Sequence, residues 1–254
     1  MIMLDSAAQD SARRLVDEID HARAQEYALL ATLLSHSPDS RLLSRLAGLR
    51  GDVSPIGLAH AALGEAARRA NAEDVAQEYF ALFAGLGQSQ LLPYSSHYLN
   101  GSLYGRPLAR LRETLQNLGI EKMPERSEPE DHAAFLCEIM AGLAGGGIAA
   151  PAGADRDFFQ LHLLPWIERF FVDLEGCRTG QLLPICWLAW ANFHRDRNAS
   201  LCPSGLNTVF CPLARSRQFR SVLERHKDAE KRDACLHRRL FCSRRYCLRR
   251  RGHP

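Results

Sequence analysis

The sequence predicts an all-α protein, a helical bundle followed by an irregular basic C-terminal tail. Three observations favour this fold class: apolar residues recur every three or four positions in successive stretches, glycines and prolines separate those stretches, and no segment alternates apolar and polar residues as a half-buried strand does. Of the 254 residues, 46% are hydrophobic and 24% are charged. This composition is typical of a globular protein and excludes a wholly disordered chain.

Charge and cysteine content divide the chain into two parts. Residues 200–254 contain 14 Lys/Arg and 4 Asp/Glu, whereas residues 1–199 contain 18 Lys/Arg and 25 Asp/Glu. Five of the eight cysteines also lie in residues 200–254. We therefore predict a helical domain over residues 1–178 and an atypical Cys- and Arg-rich tail over residues 179–254.

The first predicted helices are separated by short polar breaks. Apolar residues at helical spacing predict a helix over residues 10–34. Ser40 is the predicted N-cap of a short second helix that ends near Gly51. Ser54-Pro55 begins a third helix with proline at the first helical position, where its missing N–H is tolerated. A fourth helix is predicted over residues 71–83, which two glycines follow.

The second half of the helical domain is predicted from the same signals. Residues 88–103 are predicted to form a loop, residues 103–118 a helix, and residues 120–128 a polar link. Helices are then predicted over residues 130–143 and 155–175, and a run of three glycines separates them.

Two segments stand out against this background. The first consists of residues 77–83, 92–99 and 103–112, whose tyrosines could equally be core residues with hydroxyls at the rim. The second is Glu128-Pro129-Glu130-Asp131-His132, for which two interpretations stay open. One is a helix start, with proline at the first position and acidic residues at the positive end of the helix dipole. The other is an acid–base pair, which would need a nucleophile or metal partner that no spacing identifies.

These segments resemble the TorD/DmsD family of redox-enzyme maturation proteins, the chaperones of molybdenum enzymes exported by the twin-arginine route. The resemblance covers roughly residues 20–175. It is carried by Gln-x-Tyr-Phe-x-Leu-Phe at residues 77–83, Pro-aromatic-x-Ser-x-Tyr-Leu at 93–99, Leu-Tyr-Gly at 103–105 and Glu-Pro-x-Asp-His at 128–132.

The resemblance implies an all-α chaperone that catalyses no reaction. Its expected partners are the catalytic subunit of a molybdopterin oxidoreductase in its apo form and the twin-arginine signal peptide of that subunit. We expect Glu128 and Asp131 to face the two arginines, because a guanidinium and a carboxylate form a strong directional pair. Aromatic residues are expected to line an apolar groove for the rest of the peptide. The predicted recognition or hinge residues are Tyr79, Phe83, Pro93, Tyr94, Ser96, Tyr98, Leu99, Tyr104, Gly105, Glu128, Pro129, Asp131 and His132.

Location and cofactors follow from absences and from the resemblance. No run of 18 apolar residues predicts a membrane span, and the N-terminus shows no secretory signal, so we expect a cytoplasmic protein. We expect no metal and no cofactor. Some family members have been linked to guanine-nucleotide binding, but no residue here is matched to it. The sequence leaves open whether the protein is a monomer or a homodimer.

The tail has three interpretations. The first is a zinc site, but the spacing of its candidate ligands, Cys235, Cys242 and Cys247, is not that of a zinc knuckle. The arginine pairs of the tail are suited to bind phosphates, which would make the protein a nucleic-acid-binding helical protein. We favour a third interpretation, a frameshift in the gene beginning near residues 176–181. Codons that are possible for residues 182–202, when read one base out of frame, encode a sequence that resembles the C-terminal end of family members. We then expect residues from about 200 onward to be poorly ordered.

Two further functional alternatives remain. Within the family, assembly chaperones of nitrate-reductase-type enzymes facing the cytoplasm need not read a twin-arginine signal. From a different class, an enzyme using Asp131 and His132 predicts turnover or a bound metal. The sequence does not name the molybdoenzyme client.

Overall fold

The structure, a computed structural model, describes residues 6–84, 89–123, 127–177 and 249–250. For residues 6–17, 55 and 249–250 it describes the backbone alone. The all-α prediction is confirmed, since the described residues form helices joined by turns and only two strands of two residues each. The elements are α1 (Ser6–Ser35), α2 (Ser40–Ala47), α3 (Pro55–Arg69), α4 (Ala72–Tyr79), the π-helical turn π1 (Phe80–Ala84), α5 (Ser95–Asn100), α6 (Arg106–Asn117), β1 (Ile120–Glu121), α7 (Ala133–Ala144), α8 (Ala154–Phe158), the π-helical turn π2 (Phe159–Leu163), α9 (Ile167–Gly176) and β2 (Arg249–Arg250).

The described residues fall into two compact units. The first unit takes them from Met1–Ser35, Pro93–Ile167 and Ser243–Pro254, and the second takes them from His36–Leu92 and Glu168–Cys242. This division does not test the predicted domain boundary at residue 178, because that boundary lies one residue beyond the described helical region.

The first unit is built around the packing of α1 along α7. Helix α7 is apolar nearly all round, so it lies in the core and not at the surface. Helix α1 contributes residues at helical spacing, and α8 and π2 also contact α7. The buried residues of this core include Tyr27, Leu30, Leu34, Leu136, Ile139 and Met140, each at most 2% exposed.

In the second unit, α2 packs against α3. The side chain of Ser54 caps α3 by accepting the N–H of Gly57 at 3.1 Å, and Pro55 occupies the first helical position as predicted. The Arg68 guanidinium donates to the carbonyl of Ala47 at 2.8 Å and so ties the end of α3 to the end of α2.

Two predicted boundaries near the N-terminus are wrong. The N-cap of α2 is Asp39, whose Oδ1 accepts the N–H of Leu42 at 2.7 Å, and Ser40 is the first helical residue. Aspartate and serine both cap helices well, so the sequence alone did not separate these neighbours. The helix ends at Ala47 and not near Gly51, because the chain turns at Gly48.

The predicted loop over residues 88–103 is also wrong over part of its length, since Ser95–Asn100 form α5. The helix predicted over residues 103–118 begins at Arg106, after Gly105 at a positive φ of 85°. In the predicted polar link, Ile120 and Glu121 form β1, and Ile120 is buried.

The helix predicted over residues 155–175 is interrupted. It consists of α8, π2 and α9, with a turn over residues 164–166. Pro165 explains the break, since proline has no N–H to donate and its ring clashes with the carbonyl four residues earlier. The preceding backbone widens into the π-helical turn, where the Leu164 N–H donates to the carbonyl of Phe159 at 2.9 Å.

Several predictions for the tail lie outside the described residues. These are the frameshift, the poor order from about residue 200, the cysteine spacing and the phosphate-binding arginines, apart from the backbone of β2. In the described part of the chain, no helix is both long enough and apolar enough to cross a membrane.

Candidate functional site at the starts of helices α5 and α7

The two conspicuous sequence segments meet in the first unit. Tyr94 and His132 form an antiparallel bridge. The N–H of Ser95 donates to the carbonyl of Asp131 at 3.0 Å, and the N–H of Ala133 donates to the carbonyl of Pro93 at 2.8 Å. The structure therefore joins residues 93–95 to residues 131–133 through their backbones, at the starts of α5 and α7.

Asp131 holds the first turn of α5. Its carboxylate is fully buried, and Oδ2 accepts the N–H of Ser96 at 2.8 Å and the hydroxyl of Ser95 at 3.3 Å. The N-cap residue of α5, Tyr94, makes no capping bond with its own side chain. Asp131 therefore caps α5 from 35 residues away along the chain, as an acidic N-cap does within one segment. Its second oxygen, Oδ1, has no hydrogen-bond partner.

His132 is the N-cap of α7. Its Nδ1 accepts the N–H of Ala134 at 3.1 Å, and its ring lies edge-on to the ring of Tyr94 at 5.0 Å between centroids. Helix α7 therefore begins at Ala133, three residues later than predicted, after a turn closed by the His132 N–H and the carbonyl of Pro129. These bonds favour the helix-start interpretation of Asp131-His132.

Glu128 lies at the exposed edge of this site. Its carboxylate accepts a hydrogen bond from the hydroxyl of Tyr94, and its carbonyl accepts one from the ammonium of Lys122 at 3.0 Å. Glu128 is exposed and Tyr94 is partly exposed. A carboxylate is therefore presented to solvent beside an aromatic ring.

Glu130 is paired within the protein. Oε2 accepts from Nη2 and Nε of Arg112 at 2.9 and 3.1 Å. Partial burial raises the pKa of Glu130, but the hydrogen bond from Arg112 and the neighbouring positive charges outweigh it, so that the pKa is lowered overall. The hydrogen bond to Glu130 raises the pKa of Arg112. Glu130 is thus held ionised and already engaged.

The turn between α5 and α6 exposes apolar side chains. Tyr104 has a φ of +70°, the only positive φ among the described non-glycine residues, and its N–H donates to the hydroxyl oxygen of Ser96 at 3.0 Å. Ser96 is fully buried, whereas Tyr104 is 57% exposed. The exposed large apolar side chains at the end of α5 and on this turn are Leu99, Leu103 and Tyr104.

Tyr98 connects α5 to the turn between π2 and α9. Its ring lies 5.5 Å from that of Trp166, and the Trp166 indole N–H donates to the carbonyl of His162 at 2.8 Å. Nε2 of His162 lies 2.9 Å from the hydroxyl of Thr114. Burial lowers the pKa of His162 to about 4, so the ring is neutral near pH 7.

The predicted set is brought together only in part. Pro93, Tyr94, Ser96, Glu128, Asp131 and His132 are joined by the contacts above, and Pro129 closes the turn before His132. Tyr79 and Phe83 belong to the second unit, where their rings contact each other at 4.9 Å. The site described here therefore consists of first-unit residues alone.

The sequence did not predict Ser95, Glu130 and Arg112 as site residues, although all three lie in or beside the quoted motifs. Ser95 meets Asp131 across 36 positions, and Arg112 meets Glu130 across 18. Helical spacing relates residues three or four apart, so it carries no signal for such pairs. Among the described residues, no three His, Cys, Asp or Glu side chains are grouped so that they could hold a metal ion.

Comparison with known proteins gives a family match. Residues 51–172 match the model of the nitrate reductase delta subunit family. This span includes every residue of the site described above.

Individual relatives agree with that match. The chain is 31% identical to chaperone protein TorD of Vibrio cholerae over 106 residues, which are 38% of this chain and 48% of that protein. It thus spans about half the length of that relative. It is 26% identical to chaperone protein TorD of Shewanella oneidensis over 195 residues, 68% of this chain and 88% of that protein. It is 29% identical to Tat proofreading chaperone DmsD of Salmonella paratyphi A over 127 residues, 46% of this chain and 61% of that protein. The resemblance found in the sequence is confirmed, since the chain is similar to the nitrate reductase delta subunit family and to chaperones named TorD and DmsD.

Proposed function

We propose that this protein is a cytoplasmic, system-specific chaperone for a molybdopterin oxidoreductase. It binds the twin-arginine signal peptide and the apo form of the catalytic subunit, and it assists cofactor insertion before export. The observation that carries the proposal is the family match together with relatives whose names are chaperone protein TorD and Tat proofreading chaperone DmsD. The proposal requires no reaction, metal or cofactor from the chain itself.

The exposed edge of the site supports the peptide-binding part of this role. Glu128 presents a carboxylate to solvent beside the ring of Tyr94. A peptide arginine at this edge would find a carboxylate for its guanidinium and an aromatic ring for its planar face. Charge-assisted pairs of this kind give direction as well as affinity, which suits recognition of a short motif.

Apolar side chains at the end of α5 and on the turn after it support binding of the stretch that follows the arginines. Leu99, Leu103 and Tyr104 are each at least 38% exposed and lie within six positions of one another. Large apolar side chains grouped on a surface are typical of protein interaction sites.

The contacts of Asp131 and His132 support a role for Asp131 other than the contact with the arginines that the sequence predicted. Both side chains accept backbone N–H groups at helix starts, and both are buried. A peptide arginine would reach the unpartnered Oδ1 of Asp131 only if the residues that cover this buried carboxylate moved away. We therefore propose that Glu128 contacts the arginines and that Asp131 is a positioning residue that holds α5 and its apolar turn in place.

Titration of a labelled synthetic peptide tests this function. The peptide carries an Arg-Arg pair followed by a Leu/Ala stretch, and its fluorescence anisotropy reports binding. We expect Glu128→Gln to weaken binding about threefold or more, because the carboxylate charge is lost while an acceptor for Tyr94 remains. Glu113→Gln, at an exposed position of α6, is the matched control and should bind as the wild type does.

The outcomes separate the parts of the proposal. Absence of binding to the wild-type protein would contradict signal-peptide recognition as a whole. Binding that Glu128→Gln and Glu113→Gln change equally would remove Glu128 from the site. Unchanged affinity in Asp131→Ala protein that remains folded would remove Asp131 from both the contact and the positioning role.

The description of the matching family favours one alternative, an assembly chaperone for a nitrate-reductase-type enzyme that need not read a signal peptide. The two roles differ in what part of the client is required. Co-purification with a client subunit from which the leader has been deleted, at the same yield as with the intact subunit, would favour the assembly role.

A further inference from the structure

A segment of the basic tail is paired with the first unit as a strand. Arg249–Arg250 form β2, which runs antiparallel to β1 with Ile120 opposite Arg250 and Glu121 opposite Arg249. Both strands belong to the same compact unit. The tail therefore places a pair of consecutive arginines in extended conformation against a short edge strand.

The position of β1 is set by the end of α6. The N–H groups of Leu118 and Gly119 donate to the carbonyls of Thr114 and Gln116 at 3.0 Å each, and Gly119 has a φ of +65°. A glycine in this conformation ends a helix and redirects the chain. Ile120 is then buried while Glu121 is exposed, so one residue anchors the strand and its neighbour faces solvent.

The charges of the two partners are complementary. Residues 121–131 contain five Asp/Glu and two Lys/Arg, whereas residues 243–254 contain five arginines and no acidic residue. Glu121 and Glu128 of the acidic segment are exposed. An extended basic peptide on β1 would thus form main-chain hydrogen bonds with the strand. It would also be attracted electrostatically by the acidic residues that follow β1.

We propose that β1 is a strand-addition site for an extended arginine pair, and that its occupant in this chain is the chain's own Arg249–Arg250. The strand β1 adjoins the exposed edge at Glu128 that we assigned to the signal peptide, because Lys122, the residue after β1, donates to the carbonyl of Glu128. The tail is therefore an intramolecular competitor of a twin-arginine peptide. The identity of the competing ligand rests on the proposed function. The contact between β1 and β2 is independent of it.

The size of β2 makes such a competitor displaceable. A ladder of two residues provides few hydrogen bonds, and a two-stranded ribbon is marginally stable by itself in water. Tethering offsets this weakness, because a segment of the same chain pairs with β1 without the entropic cost of bringing two molecules together. The tail should therefore reduce affinity for a leader without abolishing it.

The first experiment tests the contact in the full-length chain. We compare hydrogen exchange of the Ile120 and Glu121 amides in the wild type, in a double variant carrying Arg249→Pro and Arg250→Pro, and in a control carrying Arg244→Pro and Arg245→Pro. Proline removes the backbone donors of β2 and disfavours strand pairing. We expect faster exchange at β1 in the first variant alone. Equal exchange in all three proteins would overturn the strand-addition site.

The second experiment tests competition with the labelled Arg-Arg peptide described above. We expect the Arg249/Arg250 variant to bind it about threefold or more tightly than the wild type, and the Arg244/Arg245 control, which loses the same charge, to bind it as the wild type does. Equal affinities in all three would overturn the competition. Absence of binding in all three would contradict the proposed function, while the exchange experiment would still decide whether the contact exists.

Discussion

The carboxylate of Asp131 accepts the backbone N–H of Ser96 at 2.8 Å across 35 positions of sequence. This bond satisfies a donor in the first turn of α5, a helix of six residues whose own N-cap side chain makes no capping hydrogen bond. Helices so short are unstable alone because few of their backbone groups are paired internally. The start of α7 therefore determines whether α5 forms, and with it the apolar turn that follows α5.

Replacing Asp131 with alanine should lower the free energy of unfolding by about 1–3 kcal/mol. The substitution leaves the buried N–H of Ser96 without its acceptor, and an unsatisfied buried donor costs about this much. Urea denaturation followed by circular dichroism measures the change. Glu113→Ala, at an exposed position, should change stability by less than about 0.5 kcal/mol. A loss for Asp131→Ala no larger than that of the control would mean that the bond is dispensable.

Sequence periodicity predicted the long elements and missed α5 for a physical reason. Helix α1 carries a sustained apolar stripe, and α3 and α4 begin at Ser54-Pro55 and Asn71, whose signals are local. Helix α5 depends instead on Asp131, which is distant in sequence. Local patterns do not contain that information, so residues 95–100 resembled a loop.

The sequence predicted which residues meet at the site but not what each of them does there. The family-like motifs led to Tyr94, Ser96, Glu128, Asp131 and His132, which the structure does bring together. Burial is what separates them, since Asp131 is fully buried and Glu128 is exposed. Two carboxylates three positions apart have the same chemistry, and only the fold decides which one meets a ligand.

Replacing Tyr104 with glycine should raise stability. A non-glycine residue at positive φ costs about 1–2 kcal/mol, and glycine adds an entropic cost of about 0.5–1 kcal/mol, so the net gain lies between about 0 and 1.5 kcal/mol. The midpoint of urea denaturation should rise accordingly, while affinity for the Arg-Arg peptide should fall as the exposed ring is lost. Leu103→Gly is the control, because Leu103 is exposed but has no positive φ. It should destabilise, and equal effects of the two substitutions would contradict the strain at Tyr104.

Replacing Gly105 with alanine should destabilise by about 1–3 kcal/mol. Gly105 precedes α6 with φ 85° and ψ −155°, a conformation that only glycine adopts readily. An added Cβ would also lie 3.2 Å from the side-chain nitrogen of Asn100. Gly147→Ala is the matched control, since that glycine has no positive φ and its added Cβ would meet atoms only at 3.7 Å or more. Thermal denaturation of both variants checks the difference, and a Gly105→Ala midpoint equal to that of the control would be inconsistent with this backbone geometry.

His162 should make the protein lose stability as the pH falls from about 6.5 to about 4. Burial lowers the pKa of its ring from 6.5 to about 4 in the folded state, so between these values the unfolded chain binds a proton that the folded chain does not. The proton therefore favours unfolding in this window, and the contribution of the neutral ring is fully present above it. Replacing His162 with glutamine keeps a polar group near Thr114 and removes the titration. We expect the thermal midpoint of His162→Gln to fall less steeply than that of the wild type between pH 7 and pH 4.5, and parallel curves for the two proteins would exclude His162 as a source of the pH dependence.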